Sequence, residues 1–358
     1  MINFIKNKYK FINSIYIFFL FFLIFFIKFS TISALANSFK IVDLEISKPY
    51  DNNFNKEKVI NVAFEKAFEE LILRITTLKE EELNSLINIK NIYSLIESFS
   101  IVDEKFIDNK YISKFEVEFN KKQLFKYLER NNIFPSIPNE KDLLLIPILI
   151  NNKKNQLLLF SENIFFESWN AFNEKHYLLN YILPNEDIED IRLIKKNINN
   201  IEQYDFNEIV KKYAINDHII LILFQEENNI NALMKIYLNN KLIISNKKFN
   251  WNENYSHENI IKDLKNEFEI QWKKLNIINA SIKLPITLSV KSKDYILIKK
   301  LDKKLYELDL VSNYYIDSFS SEEIIYKIIY NSTPDKFINE FTNSNIILNT
   351  SNPIWRVE

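Results

Sequence analysis

Glycine is absent from all 358 residues of this sequence, although it makes up about 7% of average proteins. Without glycine the chain can form neither common glycine-rich phosphate loop, nor the nucleophile elbow in which glycines flank a serine. Turns that need a positive φ must use asparagine or aspartate, the most tolerant residues after glycine. We therefore expect tight turns at Asp108-Asn109, Asn228-Asn229 and Asn239-Asn240.

Cysteine is absent as well, which excludes thiol catalysis, sulfur-ligated metal sites and lipid attachment to an N-terminal cysteine. A chain of this length can bury hydrophobic cores without disulfides. Arginine, the preferred residue for bidentate phosphate recognition, occurs four times, at Arg74, Arg130, Arg192 and Arg356. With 46 basic and 47 acidic side chains, the chain lacks the basic excess typical of nucleic-acid binders.

The N-terminus carries one long apolar run, Ile15 to Ile27. A membrane-spanning helix needs about 20 such residues, whereas the apolar region of a signal peptide needs about 7–15. Lysines precede the run, and Ala34-Leu35-Ala36 places small residues where a signal peptidase requires them. We predict a signal peptide over residues 1–36, cut between Ala36 and Asn37. The alternative is an uncleaved helix that tethers the protein.

Cleavage would release a soluble periplasmic protein. Residues 1–36 contain four lysines and no acidic residue, so the mature chain has 42 basic and 47 acidic side chains, a net charge of −5. A mild net charge of this kind favours solubility.

Hydrophobic periodicity predicts an α/β (α+β) fold of three small mixed domains. The first, residues 37–132, has the order β-α-α-β-β-α. Its clearest helix follows Asn55, and its second helix is predicted around Ile92–Phe99. A proline-containing linker leads to an α/β sandwich domain, residues 141–277, whose strands Leu143–Ile150 and His218–Phe224 are apolar on both faces. Pro147 implies a bulge or an edge in the first of these strands.

The third predicted domain, residues 282–358, is the most regular. Its order is β-α-β-β-α-β, the ferredoxin-like pattern. A hairpin turns near Ser320-Ser321, a helix begins at Thr333-Pro334-Asp335, and the last strand is the segment NIILNT, residues 345–350. Threonine as cap with proline in the first helical position is a typical helix start.

Candidate chemical sites are few. His176, His218 and His257 have no metal-ligand spacing. The acidic stretch Asn185–Asp190 could attract a hard cation, but acids also collect at helix N-termini to oppose the macrodipole, which is the interpretation we favour. Trp169 and Trp272 lie on apolar helix faces and are expected in the core, whereas Trp251 and Trp355 are expected at the surface. We assign no catalytic, cofactor-binding or metal-binding residue.

Several segments resemble a known family. They are AFEKAFEELILRIT, LIESFSIVDEKF, YISKFEVEFNKKQLFKYL, LLLIPILI, ESWNAF, LPNEDIEDI and DHIILILF. Together they are similar to domain-of-unknown-function family 2066, a set of uncharacterised exported proteobacterial proteins, from about Phe39 to Asn240 and more faintly beyond. Where family members tend to carry glycine, this chain has Asn or Lys. The middle domain also resembles the N-terminal domain of the Tol-system propeller protein.

These observations predict a non-enzymatic periplasmic binding or scaffold protein of the cell envelope. Its partner would be an envelope protein or a peptidoglycan-associated molecule, bound through sheet edges or aromatic patches. We expect no nucleic-acid partner, no cofactor, and membrane contact only through an uncleaved N-terminal helix. The alternative is an envelope hydrolase whose carboxylates assemble in space, which predicts a deep pocket with two acids of unequal pKa.

Overall fold

The computed structural model describes residues 39–251, 255–278 and 282–358. These residues form a mixed α/β fold with three β-sheets and ten α-helices, which confirms the predicted fold class. Residues 41–358 make up one compact unit. Each sheet draws its strands from one predicted domain, while the exact domain limits stay predictions. The predicted signal peptide and its cleavage residues Ala34, Ala36 and Asn37 lie outside the described residues.

The first sheet has three strands in the order β1-β3-β2. A 20-residue helix, α1, packs an apolar face that includes Phe64, Phe68 and Leu71. Asn55 caps it as predicted, accepting bonds from the amides of Glu57 and Lys58. The elements are β1 (Lys40–Pro49), α1 (Lys56–Ile75), α2 (Glu80–Leu83), α3 (Ile89–Leu95), β2 (Ile96–Ile107), β3 (Lys110–Phe119) and α4 (Lys121–Arg130).

The boundary predicted for the second helix was wrong. The helix ends at Leu95, and Phe99 lies in strand β2 rather than in a helix. Residues 98–107 of β2 pair antiparallel with β3. This long-range pairing outweighs the local apolar spacing that suggested a helix.

The central sheet has the order β5-β4-β7-β8-β9, and β6 pairs beside β4. Its elements are β4 (Lys141–Asn151), β5 (Gln156–Leu158), α5 (Ile164–Ser168), β6 (Leu179–Ile182), α6 (Ile188–Lys196), α7 (Asn207–Val210), β7 (His218–Gln225), β8 (Asn229–Leu238), β9 (Lys241–Asn250) and α8 (His257–Leu275). Strand β4 is buried on both faces, as predicted.

Pro147 occupies a gap at the outer side of β4. The strand pairs with β6 only as far as Leu144 and with β5 only from Leu149 onward. Pro147 lies between these two pairings, while on its other side β4 pairs with β7 without a register shift. The predicted edge is therefore confirmed, because a residue without an amide donor sits where no neighbouring strand needs one.

Helices cover both faces of the central sheet. Phe165 of α5 and Leu264 and Phe268 of α8 pack on one face with Trp169. Ile194 of α6 and Ile209 of α7 pack on the other. This double cover explains why the central strands read as continuous apolar runs rather than alternating ones.

The third sheet has the order β11-β12-β10-β14-β13. Two helices pack on it, and their side chains Leu301 and Phe337 belong to its hydrophobic core. Its elements are β10 (Leu284–Lys291), α9 (Tyr295–Glu307), β11 (Val311–Phe319), β12 (Glu323–Tyr330), α10 (Pro334–Thr342), β13 (Leu348–Asn349) and β14 (Trp355–Val357). Thr333 caps α10, with Pro334 in the first position, as predicted.

The third sheet departs from the simple ferredoxin-like pattern at its last strand. The predicted strand at 345–350 shrinks to Leu348–Asn349 and lies at the outer edge. A further strand, β14, turns back and inserts between it and β10, parallel to β10. A three-residue strand carries too little periodicity to be recognised in sequence.

Asparagine and aspartate take the place of glycine at left-handed positions. Among the described residues ten have a positive φ, and eight of them are Asn or Asp. Both predicted two-residue turns at Asp108-Asn109 and Asn239-Asn240 have this geometry, typical of a type I′ hairpin turn. The prediction for Asn228-Asn229 was wrong, because neither residue has a positive φ. The chain reverses one residue earlier, at Glu227-Asn228, where the amide of Glu226 donates to the carbonyl of Asn229.

Candidate functional site

The three histidines lie in separate environments. His176 lines a groove beside α8, and burial lowers its pKa to about 4. His218 stacks on Tyr237, with 4.3 Å between ring centroids, and His257 contacts the ring of Phe165. Within the described residues, no group of three or more His, Asp or Glu side chains could hold a metal ion.

The acidic stretch Asn185–Asp190 is a helix start held by a lysine. The helix begins within this stretch, at Ile188, and Asp187 caps it. Lys212 Nζ donates to Asp187 Oδ2 and Asp190 Oδ1, both at 2.7 Å. Asp190 is 1% exposed, so its carboxylate needs this partner. These contacts support the macrodipole interpretation over a cation site.

The tryptophans divide differently from the expectation. Trp169 and Trp272 are buried, as predicted. Trp251 and Trp355 are half-buried against the cores of the second and third sheets, respectively. Expecting both at the surface was wrong, because Trp251 directly follows β9 and Trp355 begins β14, and each packs against the core of its own sheet.

A polar groove runs between the end of α1 and helix α8, with a cavity of about 370 Å³. Lysines and carboxylates alternate along its wall. Lys262 approaches Glu174 at 3.3 Å and Glu80 at 3.7 Å. Tyr177 donates its hydroxyl to Asn266 Oδ1 at 2.9 Å. The groove is thus lined mainly by charges that already have partners.

Three charged residues of α8 are buried one helical turn apart: Lys265, Glu269 and Lys273. Glu269 and Lys273 line this groove, and Lys265 lines a smaller neighbouring cavity. Glu269 Oε1 accepts bonds from the amides of Leu178 and Leu179, both at 2.8 Å. Burial raises the pKa of Glu269 and lowers the pKa values of Lys265 and Lys273 to about 8. This ladder was not predicted from the sequence, because charges at this spacing usually mark a solvated helix face.

The buried lysines join separate segments of the chain. Lys273 Nζ donates to the carbonyl of Leu73 at the end of α1, at 2.5 Å. Lys265 Nζ donates to the carbonyl of Phe172 and, at 3.2 Å, to Asn173 Oδ1. Both ammonium groups are therefore bound to backbone or amide oxygens. This arrangement ties α1 and the 172–179 loop to α8 and leaves these groups engaged in structural bonds.

Each sheet ends in a long, exposed edge strand. These strands are β2 in the first sheet, whose other edge is β1, β9 in the central sheet and β11 in the third. Strands β2, β9 and β11 each expose at least two large apolar side chains, namely Phe99, Val102, Phe106, Ile107, Leu242, Ile244, Tyr315, Ile316 and Phe319. A strand at the edge of a sheet also presents backbone amides and carbonyls without a neighbouring strand. The edges are consequently the candidate binding surfaces of this molecule.

The sequence was compared with known proteins. No family model matches it, and no curated protein matches it. Among the helices in the described part of the chain, none has the length and apolar character needed to cross a membrane.

Proposed function

We propose that this chain is an exported, periplasmic protein that binds or scaffolds other components of the cell envelope without catalysis. One observation carries the proposal. Three long edge strands, β2, β9 and β11, leave backbone hydrogen-bonding groups and apolar side chains exposed together. Extended segments of other proteins bind to such edges by adding a strand, with backbone bonds supplying affinity and side chains supplying specificity.

The sequence supports the same proposal. Its N-terminal segment has the features of a signal peptide, and its packing motifs resemble domain-of-unknown-function family 2066. N-terminal sequencing of the protein purified from its native cells tests export. Cleavage yields a chain that starts at Asn37, whereas a tethered protein retains Met1.

Site-specific photo-crosslinking tests the binding function. A photoreactive amino acid replaces Phe106 on β2, Ile244 on β9 or Phe319 on β11, and Lys126 on the outer side of α4 serves as the control position. We expect a defined crosslinked envelope component from at least one edge position and none from the control. Absence of crosslinks from all three edges would contradict the proposal.

The hydrolase alternative depends on the groove beside α8. Glu269 is the acid there whose pKa is raised by burial. It already accepts two backbone bonds, an arrangement that favours a structural role. Hydrolysis of peptidoglycan by the purified protein, abolished by Glu269→Gln without loss of folding, would favour the alternative.

A further inference from the structure

We infer that strand β9 is the docking edge, and that its occupant is an extended, acidic segment of a partner protein that pairs with β9 as an additional strand. This inference rests on the proposed binding function and names the surface and the partner's chemistry.

The hydrogen bonds of the β8–β9 hairpin show which residues of β9 direct their amides and carbonyls away from β8. Leu238 pairs with Lys241 across the two-residue turn, and at the far end the amide of Trp251 donates to the carbonyl of Asn228 at 2.8 Å. Hydrogen-bonded pairs alternate along an antiparallel ladder. The odd-numbered residues of β9 therefore bond to β8. The amides and carbonyls of Leu242, Ile244, Asn246 and Lys248 point away from the sheet.

Strand β9 is more regular than β2 and β11, the other long edges that expose several apolar side chains. It pairs with β8 over ten successive residues without a shift in register. The pairings of β2 and β11 each contain two shifts. Bulges of this kind twist an edge and protect it from pairing with other chains. By this measure β9 is the edge left open to a new strand.

The outward backbone groups coincide with exposed side chains. Leu242 is 49% exposed and Ile244 is 60% exposed, and both belong to residues whose amides point outward. An added strand would therefore find apolar contacts beside the hydrogen bonds it forms. Residues 242–248 span about 20 Å, so the matching segment needs about seven residues.

Charge selects the partner. Strand β9 carries Lys241, Lys247 and Lys248 and no acidic residue, and Ile244 lies opposite the buried Lys235. Acids also lie near this edge: Asp263 is 3.9 Å from Lys247, and the charges of Asp205 and Glu202 act on Lys235. Opposite charges facing each other across paired strands stabilise the pairing, and like charges oppose it. The complementary segment therefore alternates Asp or Glu with apolar β-forming residues.

A labelled peptide tests the inference on the full mature protein. The probe is a terminally blocked octapeptide that alternates Glu with Val, and its Lys-Val counterpart is the charge control. Fluorescence polarisation measures Kd at two salt concentrations. We expect the acidic peptide to bind more tightly, and its affinity to fall as salt rises because exposed charges are screened.

Variants of β9 locate the binding site. Ile244→Pro removes an outward amide while leaving the inner ladder intact, and we expect roughly tenfold weaker binding, the effect of about 1.4 kcal/mol. Lys248→Glu should weaken binding similarly, whereas Ile244→Ala, which keeps the amide, should weaken it less. Lys126→Glu on α4 is the matched surface control and should leave Kd unchanged. The thermal unfolding midpoint of each variant checks its folding.

The outcomes separate this inference from the proposed function. If the peptide does not bind, or binds equally well to Ile244→Pro and Lys248→Glu, β9 is not the docking edge. Self-association that places β9 against a second copy, detected by sedimentation and abolished by Ile244→Pro, would also overturn the acidic partner. Crosslinks from β2 or β11 would leave the binding function standing in either case.

Discussion

The amide of Trp251 donates to the carbonyl of Asn228 at 2.8 Å. This bond lies one residue beyond the last β8–β9 pair, at the end of the hairpin opposite the turn. This bond, together with the Asn239-Asn240 turn, fixes which side of every β9 residue faces β8. The exposed side chains and the outward amides consequently belong to the same residues. That coincidence makes β9 a surface on which a strand can be added.

Replacing Ala214 by glycine should stabilise the protein. Ala214 has a φ of 53° at the end of a helical turn, a conformation that costs non-glycine residues about 1–2 kcal/mol. Part of this gain is lost to the greater freedom of glycine in the unfolded chain, so we expect a net gain of about 0.5–1 kcal/mol in urea unfolding. Ala232→Gly, within strand β8, is the control and should destabilise. An equal loss of stability in Ala214→Gly and Ala232→Gly would contradict this account.

Removing the cap of α1 should weaken the first sheet's main helix. Asn55 Oδ1 accepts bonds from the amides of Glu57 at 2.8 Å and Lys58 at 3.2 Å. Asn55→Ala leaves these amides without the side-chain acceptor, at a cost of about 1 kcal/mol. Asn55→Asp should retain most of the stability. Urea unfolding followed by circular dichroism compares the three proteins, and an unchanged midpoint for Asn55→Ala would refute the role of the cap.

Stability should rise with pH above the folded pKa of Lys273. Burial lowers that pKa to about 8, while an unfolded lysine titrates near 10.4. Between these values the unfolded state binds more protons, so the free energy of unfolding rises with pH, by up to about 1.4 kcal/mol per pH unit. The destabilising effect of the buried charge is fully present below pH 8.

Urea unfolding between pH 8.5 and 9.5 measures this slope below the range where ordinary tyrosines ionise. Lys273→Met should reduce the slope by removing one titrating group. Lys126→Met, an exposed lysine on α4, should leave it unchanged. If Lys273→Met has the slope of the unmodified protein, the ammonium of Lys273 is not desolvated as described.

Breaking the ion pair between Lys212 and Asp190 should lower the free energy of unfolding substantially, because Asp190 is buried. Lys212→Met removes the ammonium that donates to Asp190 at 2.7 Å and leaves a carboxylate with 1% exposure unpaired. We expect a loss of about 2–3 kcal/mol in urea unfolding. Asp190→Asn in the Lys212→Met background should recover part of it. The matched control is Lys153→Met, whose partner Glu227 is exposed, and its effect should be far smaller because solvent screens exposed ion pairs.

Local patterns in the sequence predicted much of the fold. Three-and-four spacing identified α1, and asparagine at the chain reversals identified the hairpins at 108–109 and 239–240. These features depend on neighbouring residues, so one sequence suffices to recognise them. Phe99 shows the limit, since its pairing with Val117 of β3 outweighs a local pattern that also suits a helix.

The candidate site was less accessible from sequence. Exposed sheet edges were expected in general, but strand order decides which strand lies at an edge. The insertion of β14 beside β10 and the burial of Glu269 both depend on contacts between distant segments. One sequence feature does accompany the buried ladder. Lys265, Glu269 and Lys273 each come one residue after an apolar position, at 264, 268 and 272.

Residue-resolved amide hydrogen exchange of β9, with and without the acidic octapeptide, tests the central claim most directly. In the free protein we predict slow exchange at Ile243, Ser245 and Lys247 and fast exchange at Ile244, Asn246 and Lys248, with the second set becoming slow when the peptide is bound. Equal protection of both sets in the free protein, or no gain in protection at saturating peptide, would contradict the account.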